Sequence, residues 1–201
     1  MTFKPDLIEC PITDEEFLEF LEDRFGHVPL EQEDVRKIKQ RYWILETAIR
    51  EGLIERWKLE GDVFEVGAFL GHSTDALRLY GREITSVNLM NDESPLGYPI
   101  ITREAIDYLE GYVRNNSLDA LVAFDLSDIM DGSEMIPNFL PSLLACAHYK
   151  LRKEGSMLVT TGLLGKLMLE RMAPDFQFRP LNEYNFPGLD YKILTAEVNK
   201  E

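Results

Sequence analysis

Behind Thr13, the apolar residues Phe17, Leu18, Leu21 and Phe25 recur at helical spacing, and Gly26 ends the run. Glu16 stands three residues after Thr13, the spacing at which each side chain satisfies the other's backbone N–H. Val35, Ile38, Tyr42, Leu45 and Ile49 form a longer stripe that predicts a helix from Glu33 to Arg50. Its alternating threes and fours suit packing on the domain's own sheet, or a homodimer seam through the N-terminal helices. The pattern then changes period. Asp62 to Gly67 is a short β-branched run, and a helix from Ser73 to Tyr80 is closed by Gly81. Glu83 to Leu89 is a second strand, followed by the polar turn chemistry of NDESPLGYP and a short strand from Tyr98 to Ile101. Arg103 to Arg114 predicts a helix, and Asp119 to Leu126 is apolar almost throughout, as in a strand covered on both faces. Pro137 opens a further helix, Gly155 to Thr161 is a buried strand, and Leu167 to Met172 is a short helix. At the tail, Phe176 to Phe178 and Asp190 to Val198 predict an antiparallel strand pair with PLNEYNFPG as the loop between them.

Alternating strands and helices predict an α/β fold: a doubly wound, mostly parallel sheet of about seven strands, helices on both faces and an antiparallel C-terminal strand. Residues 1–61 read as a helical extension packed on a core of residues 62–201, in one structural domain. In such sheets ligands lie beyond the carboxyl ends of the strands, where strand order reverses. Gly67, Asn88 and Asp125 should therefore converge. The stretch DVFEVGAFLGHST ends the first strand in a two-glycine turn before a helix start. Glycines allow positive φ and close approach of backbone to ligand, and the helix start adds unpaired N–H groups.

Composition narrows the ligand class. The 36 acids and 21 bases leave a formal charge of −15, which disfavours a nucleic-acid backbone as partner. No apolar run is long and uninterrupted enough to cross a membrane, and Met1 to Cys10 does not read as a signal peptide. Cys10 and Cys146 form no disulfide or metal pattern, which fits a cytoplasmic protein.

The chain resembles the Rossmann-like, class I S-adenosylmethionine-dependent methyltransferases from Asp62 to Val198. The resemblance rests on FEVGAFLGHST as the glycine motif, ITSVNL as second strand, TREAIDYL after the third, DALVAFDL as fourth and EGSMLVTTG as fifth. It implies that Glu65, Gly67, Ala68, Phe69 and Gly71 lie along the methionine part of S-adenosyl-L-methionine. Asn88 would meet the ribose, Glu104 and Ala105 the adenine edge, and Asp125 with Leu126 the methyl group and acceptor. Glu104 reads equally as a solvated acid at a helix start. Asp125, Asp128 and His72 are the candidate bases for a hydroxyl acceptor. His27 and His148 read as surface or packing residues, and Tyr42, Trp43 and Tyr184 as candidate substrate contacts.

Two departures from that family matter. Asn88 stands where an acid grips both ribose hydroxyls, so the charge-assisted bond is lost. Thr160 and Thr161 stand where the catechol type has an Asp-Asn metal pair, so no catalytic metal is expected. The expectation is metal-independent methyl transfer to oxygen or nitrogen of a small-molecule acceptor. The alternative is a catalytically silent methyltransferase-like domain serving as a binding or assembly module. A nicotinamide-dependent oxidoreductase needs GxGxxG and an acid about twenty residues on, and the chain has neither.

Overall fold

The computed structural model describes residues 10–27, 29–81, 83–89, 92–126, 139–187 and 189–200. Helices α1 (Asp14–Phe25), α2 (Gln32–Arg50) and α3 (Arg56–Glu60) precede β1 (Val63–Val66), α4 (His72–Arg78), β2 (Ile84–Asn88) and β3 (Ile101–Thr102). They are followed by α5 (Ala105–Tyr112), β4 (Leu118–Ala123), α6 (Phe139–Lys150), β5 (Leu151–Thr161), α7 (Leu163–Met172), β6 (Asn182–Asn185) and β7 (Lys192–Glu197). The seven strands form one sheet in the order β3-β2-β1-β4-β5-β7-β6. The first five are parallel, and β7 runs antiparallel to both its neighbours. Strand order reverses between β1 and β4, so their carboxyl ends open onto a crevice.

Local chemistry accounts for the elements that frame this crevice. The Thr13 hydroxyl accepts from the Glu16 N–H at 3.2 Å while the Glu16 carboxylate accepts from the Thr13 N–H at 2.8 Å, and α1 begins there. β1 and β4 are buried along their whole length, which explains why their sequences do not alternate. One core cluster joins Phe64, Leu121 and Val159 to α5, α6 and α7; the other joins Val63, Ala120 and Leu158 to α1, α2 and α4. Successive residues of each central strand thus point to opposite layers.

The apolar stripe of α2 is spent inside the chain: Val35, Ile38 and Leu45 are buried against α1, α4 and the sheet, with Tyr42 and Ile49 half-buried beside them. A homodimer seam would need that face free. The tail corrects another expectation. Ala173–Phe176 is a 3₁₀ turn, and Gln177 follows with φ 60°, so the chain cannot extend there. Phe178 contributes one bridge to Val198, and β7 pairs with Asn182–Asn185, inside the expected loop. Among the described residues the connection from β2 to β3 holds no helix.

Candidate functional site

The two-glycine turn forms as its residue types require. After Val66 the N–H groups of Gly67 and Ala68 both reach the Val87 carbonyl, at 3.0 and 3.1 Å, tying the turn to β2. Gly67 takes φ 71° and Gly71 φ 84°. At Gly71 a side chain is excluded twice over, because a Cβ would lie 2.6 Å from Ser94 Cα and Cβ. Phe69 also has positive φ, 48°, a costly conformation for an aromatic residue.

Beneath the turn lies Glu65, 1% exposed. Its Oε2 accepts from the Thr74 and Ser86 hydroxyls, each at 2.6 Å. Oε1 is buried, with no hydrogen-bond partner among the described residues. Burial pushes the Glu65 pKa up, opposed by the hydroxyls of Ser73, Ser86 and Thr74 and by the Arg41 charge. A buried carboxylate with one free oxygen is an incomplete arrangement in a folded protein.

A second cluster closes over the end of β4. Asp125, at φ 54°, forms an ion pair with Arg41 of α2. The Tyr191 hydroxyl donates to Asp125 Oδ1 at 2.7 Å and lies 2.5 Å from the Thr160 hydroxyl, which accepts from the Asp125 N–H at 2.8 Å. Arg41 also lies over the Phe124 ring, 5.2 Å from its centroid. Burial opposes the Arg41 charge, but Asp125 and then Tyr191 more than offset it and hold its pKa above the ordinary value. Burial, then Asp125, raises that of Tyr191. One helical face earlier on α2, Asp34 Oδ1 lies 2.9 Å from His72 Nε2. Burial holds the His72 pKa below the usual range, with Asp34 opposing. The imidazole is therefore neutral at pH 7.

No protein-family model matches the sequence, and no curated protein sequence matches it. Solved structures do. A SAM-dependent methyltransferase from Archaeoglobus fulgidus superposes with TM-score 0.56 at 11% identity, over 89% of this chain and 98% of its own. Magnesium protoporphyrin IX methyltransferase from Synechocystis, solved with bound SAM, gives 0.53 at 11% identity over 95% and 100%. A Burkholderia thailandensis 1,6-didemethyltoxoflavin-N1-methyltransferase, solved with S-adenosylhomocysteine, gives 0.52 at 16% identity over 79% and 87%. The fold is that of the class I S-adenosylmethionine-dependent methyltransferases.

Within this methyltransferase fold, Glu65, the Gly67–Gly71 turn, Asn88 and Asp125 all stand at the carboxyl edge of the sheet. Their chemistry differs from expectation in several places. The Asn88 amide N–H donates to the Phe69 carbonyl at 2.6 Å and its oxygen accepts from the Leu89 N–H at 2.8 Å, so the amide ties down the turn. Glu104 is the N-cap of α5, accepting from the Asp107 N–H at 2.7 Å. Ala105 is buried at the same helix start, and the Leu126 side chain belongs to the core. Asp125 carries an arginine and a tyrosine, so its carboxylate is already engaged, and His72 turns toward α2. Asp128 lies outside the described residues.

Tyr42 stacks on Tyr80 in a ring cluster with Phe17 and Phe20, Trp43 carries Arg50, and Tyr184 packs on Phe186 in the strand farthest from β3. These are packing contacts. His27 bonds Glu22, and His148 packs on Tyr149. Sequence reasoning passed over Asp34, Arg41 and Tyr191. A signal existed for two of them: Asp34 and Arg41 are seven residues apart, so two charges share one helix face. Tyr191 carried none, because its partner is 66 residues away. Thr160, noted as a lost metal ligand, instead braces Asp125. Among the described residues no three His, Cys, Asp or Glu side chains converge as metal ligands.

Proposed function

We propose that the chain binds S-adenosylmethionine at the carboxyl ends of β1, β2 and β4 and directs metal-independent methyl transfer to oxygen or nitrogen of a small-molecule acceptor. The observation that carries this reading is the free, buried Oε1 of Glu65 beneath the glycine turn. It matches an ammonium, and the buried Arg41 guanidinium, whose charge acts on Glu65, matches a carboxylate. A carboxylate and a guanidinium close enough for one charge to act on the other suit the two charges of the α-amino-acid end of the donor. Glu65, Gly67, Ala68 and Arg41 would hold that end.

Asn88 retains one N–H and one oxygen lone pair for the ribose, a weaker grip than a carboxylate's. Glu104 and Ala105, next to the edge where the Arg103 N–H meets the Asn88 carbonyl, would border the adenine. When bound, the donor supplies an already activated methyl group, so the chain's task is to hold the acceptor in line and exclude water. Neutral His72, oriented by Asp34, is the better proton acceptor, because Asp125 is neutralised by Arg41.

A second reading is favoured by the same Asn88 and Arg41. One side chain holds the turn, and the other occupies the ground beside Asp125, as in a silent domain kept for binding or assembly. Calorimetric titration with S-adenosylmethionine, S-adenosylhomocysteine and NAD separates the readings. The enzyme reading expects micromolar binding of the first two and none of NAD. Failure of both sulfur ligands would leave the silent module.

A further inference from the structure

We infer that the acceptor is an uncharged molecule with an apolar body, received on a rim made by Phe69, Leu70 and Leu89 on one side and Leu163 and Leu167 on the other. This deepens the proposed methyl-transfer reading and rests on it. Nine large apolar side chains are exposed among the described residues, and these five follow the carboxyl ends of β1, β2 and β5, the edge that holds Glu65 and Asp125. Scattered exposed leucines are ordinary; their concentration along one edge of the sheet marks a binding surface.

Phe69 makes the case sharper. It is 43% exposed at φ 48°, where glycine or asparagine would sit with less strain. The Asn88 amide holds its carbonyl at 2.6 Å, and the clash that any Cβ at Gly71 would make with Ser94 shows how tightly the turn is seated. Asn88 thus acts as a positioning residue that presents an aromatic ring to solvent. Strain that persists in an exposed ring calls for a contact outside the chain.

Charge disfavours an anion. Two cations of this edge are engaged by acids, Arg41 by Asp125 and Lys166 by Glu170 and Glu183 at 3.4 and 2.5 Å, and the Arg103 guanidinium lies over the Tyr112 ring, 4.7 Å from its centroid. The chain as a whole carries −15. An anionic acceptor would meet repulsion from the summed field.

The test uses two naphthalene probes, neutral Prodan and anionic 2-naphthoate, titrated fluorimetrically into the full chain and into Leu70→Gln, Leu167→Gln and Trp57→Gln. Trp57 is equally exposed but lies outside the rim. The expected result is Prodan binding at least about tenfold tighter than naphthoate, weakened about tenfold by either rim variant, as loss of one leucine contact implies, and unchanged in Trp57→Gln. Naphthoate binding as tightly as Prodan, no Prodan binding, or equal weakening by Trp57→Gln would overturn the inference. Circular dichroism of each variant verifies folding, and S-adenosylhomocysteine titration runs in parallel. If the rim pattern holds while that ligand fails to bind, the donor reading falls and the apolar rim stands. If the ligand binds while the rim pattern is missing, the reverse holds.

Discussion

The two edges of the sheet are built in opposite ways. At the amino edge the buried charges Lys58 and Asp119 are answered within the chain. Lys58, buried, meets Ser156, Glu197 and Glu55 at 2.9, 2.8 and 3.1 Å, and Arg152 bonds Asp119 at 2.8 Å and Asp62 at 2.5 Å. The Asp62 N–H donates to Asp119 as well. At the carboxyl edge a buried carboxylate oxygen lacks a partner among the described residues, an aromatic residue sits at positive φ, and leucines face water. Polar groups that complete one another within the chain hold a fold together; groups left incomplete at one edge are kept for something that arrives from outside.

That contrast can be broken from either side. The largest effect belongs to the closed edge: Lys58→Met removes the buried ammonium shared by Ser156, Glu197 and Glu55, leaving Glu197 only Arg179, and should lower stability by about 2–3 kcal/mol in urea titration. Unchanged stability would mean that the closed edge is not held by its charges. At the open edge, Arg41→Met exposes Asp125 to an unbalanced burial and should lower stability by about 2 kcal/mol. It should also weaken S-adenosylhomocysteine about tenfold, a readout that a purely structural arginine would not move.

Asp75 sits between these cases. Its carboxylate, fully buried, accepts from the Ser94 hydroxyl and the Leu96 N–H and anchors the segment that covers Gly71. Burial pushes its pKa from 3.8 up to about 7, with Ser94 and Leu96 opposing. Because the folded chain holds this proton more tightly than the unfolded one, the contribution is full below the unfolded value and is lost as pH rises toward 7. Asp75→Asn should match the parent near pH 4 and be more stable by on the order of 1–2 kcal/mol at pH 8, measured by chemical unfolding at both pH values. A gap that instead opens on acidification would show that Asp75 is stabilised as an anion. The smallest effect is at Phe69: Phe69→Gly relieves positive φ and should raise stability by about 0.5–1 kcal/mol while weakening Prodan. A loss of stability would mean that the ring packs within the chain.

What could be read in the sequence was whatever depends on neighbours along the chain. The capping pair Thr13 and Glu16, the β-branched run into Gly67, and the unbroken apolar run of β4 each carry their own cause, and each is found. The parallel part of the sheet followed, because alternation with short connections leaves few topologies. The site was legible only in its skeleton. Glu65 and the turn could be placed, but the ion pair between Arg41 and Asp125 spans 84 positions, and no local pattern announces it. β6 was missed for a related reason. Its Asn182–Asn185 is polar and mostly exposed at a sheet edge, with turn-like composition on either side. Asn88 was singled out for the ribose, and its use of Phe69 as partner depends on a turn closing back on β2.

Glu65 decides whether the donor's ammonium is held, and the most direct measurement is calorimetric titration of S-adenosylhomocysteine into the parent chain and Glu65→Gln at pH 7.5. Micromolar affinity in the parent, about tenfold to a hundredfold weaker in a variant of undiminished stability, is the result that a carboxylate awaiting an ammonium predicts. Equal affinity in the two proteins, or none in the parent, would contradict it.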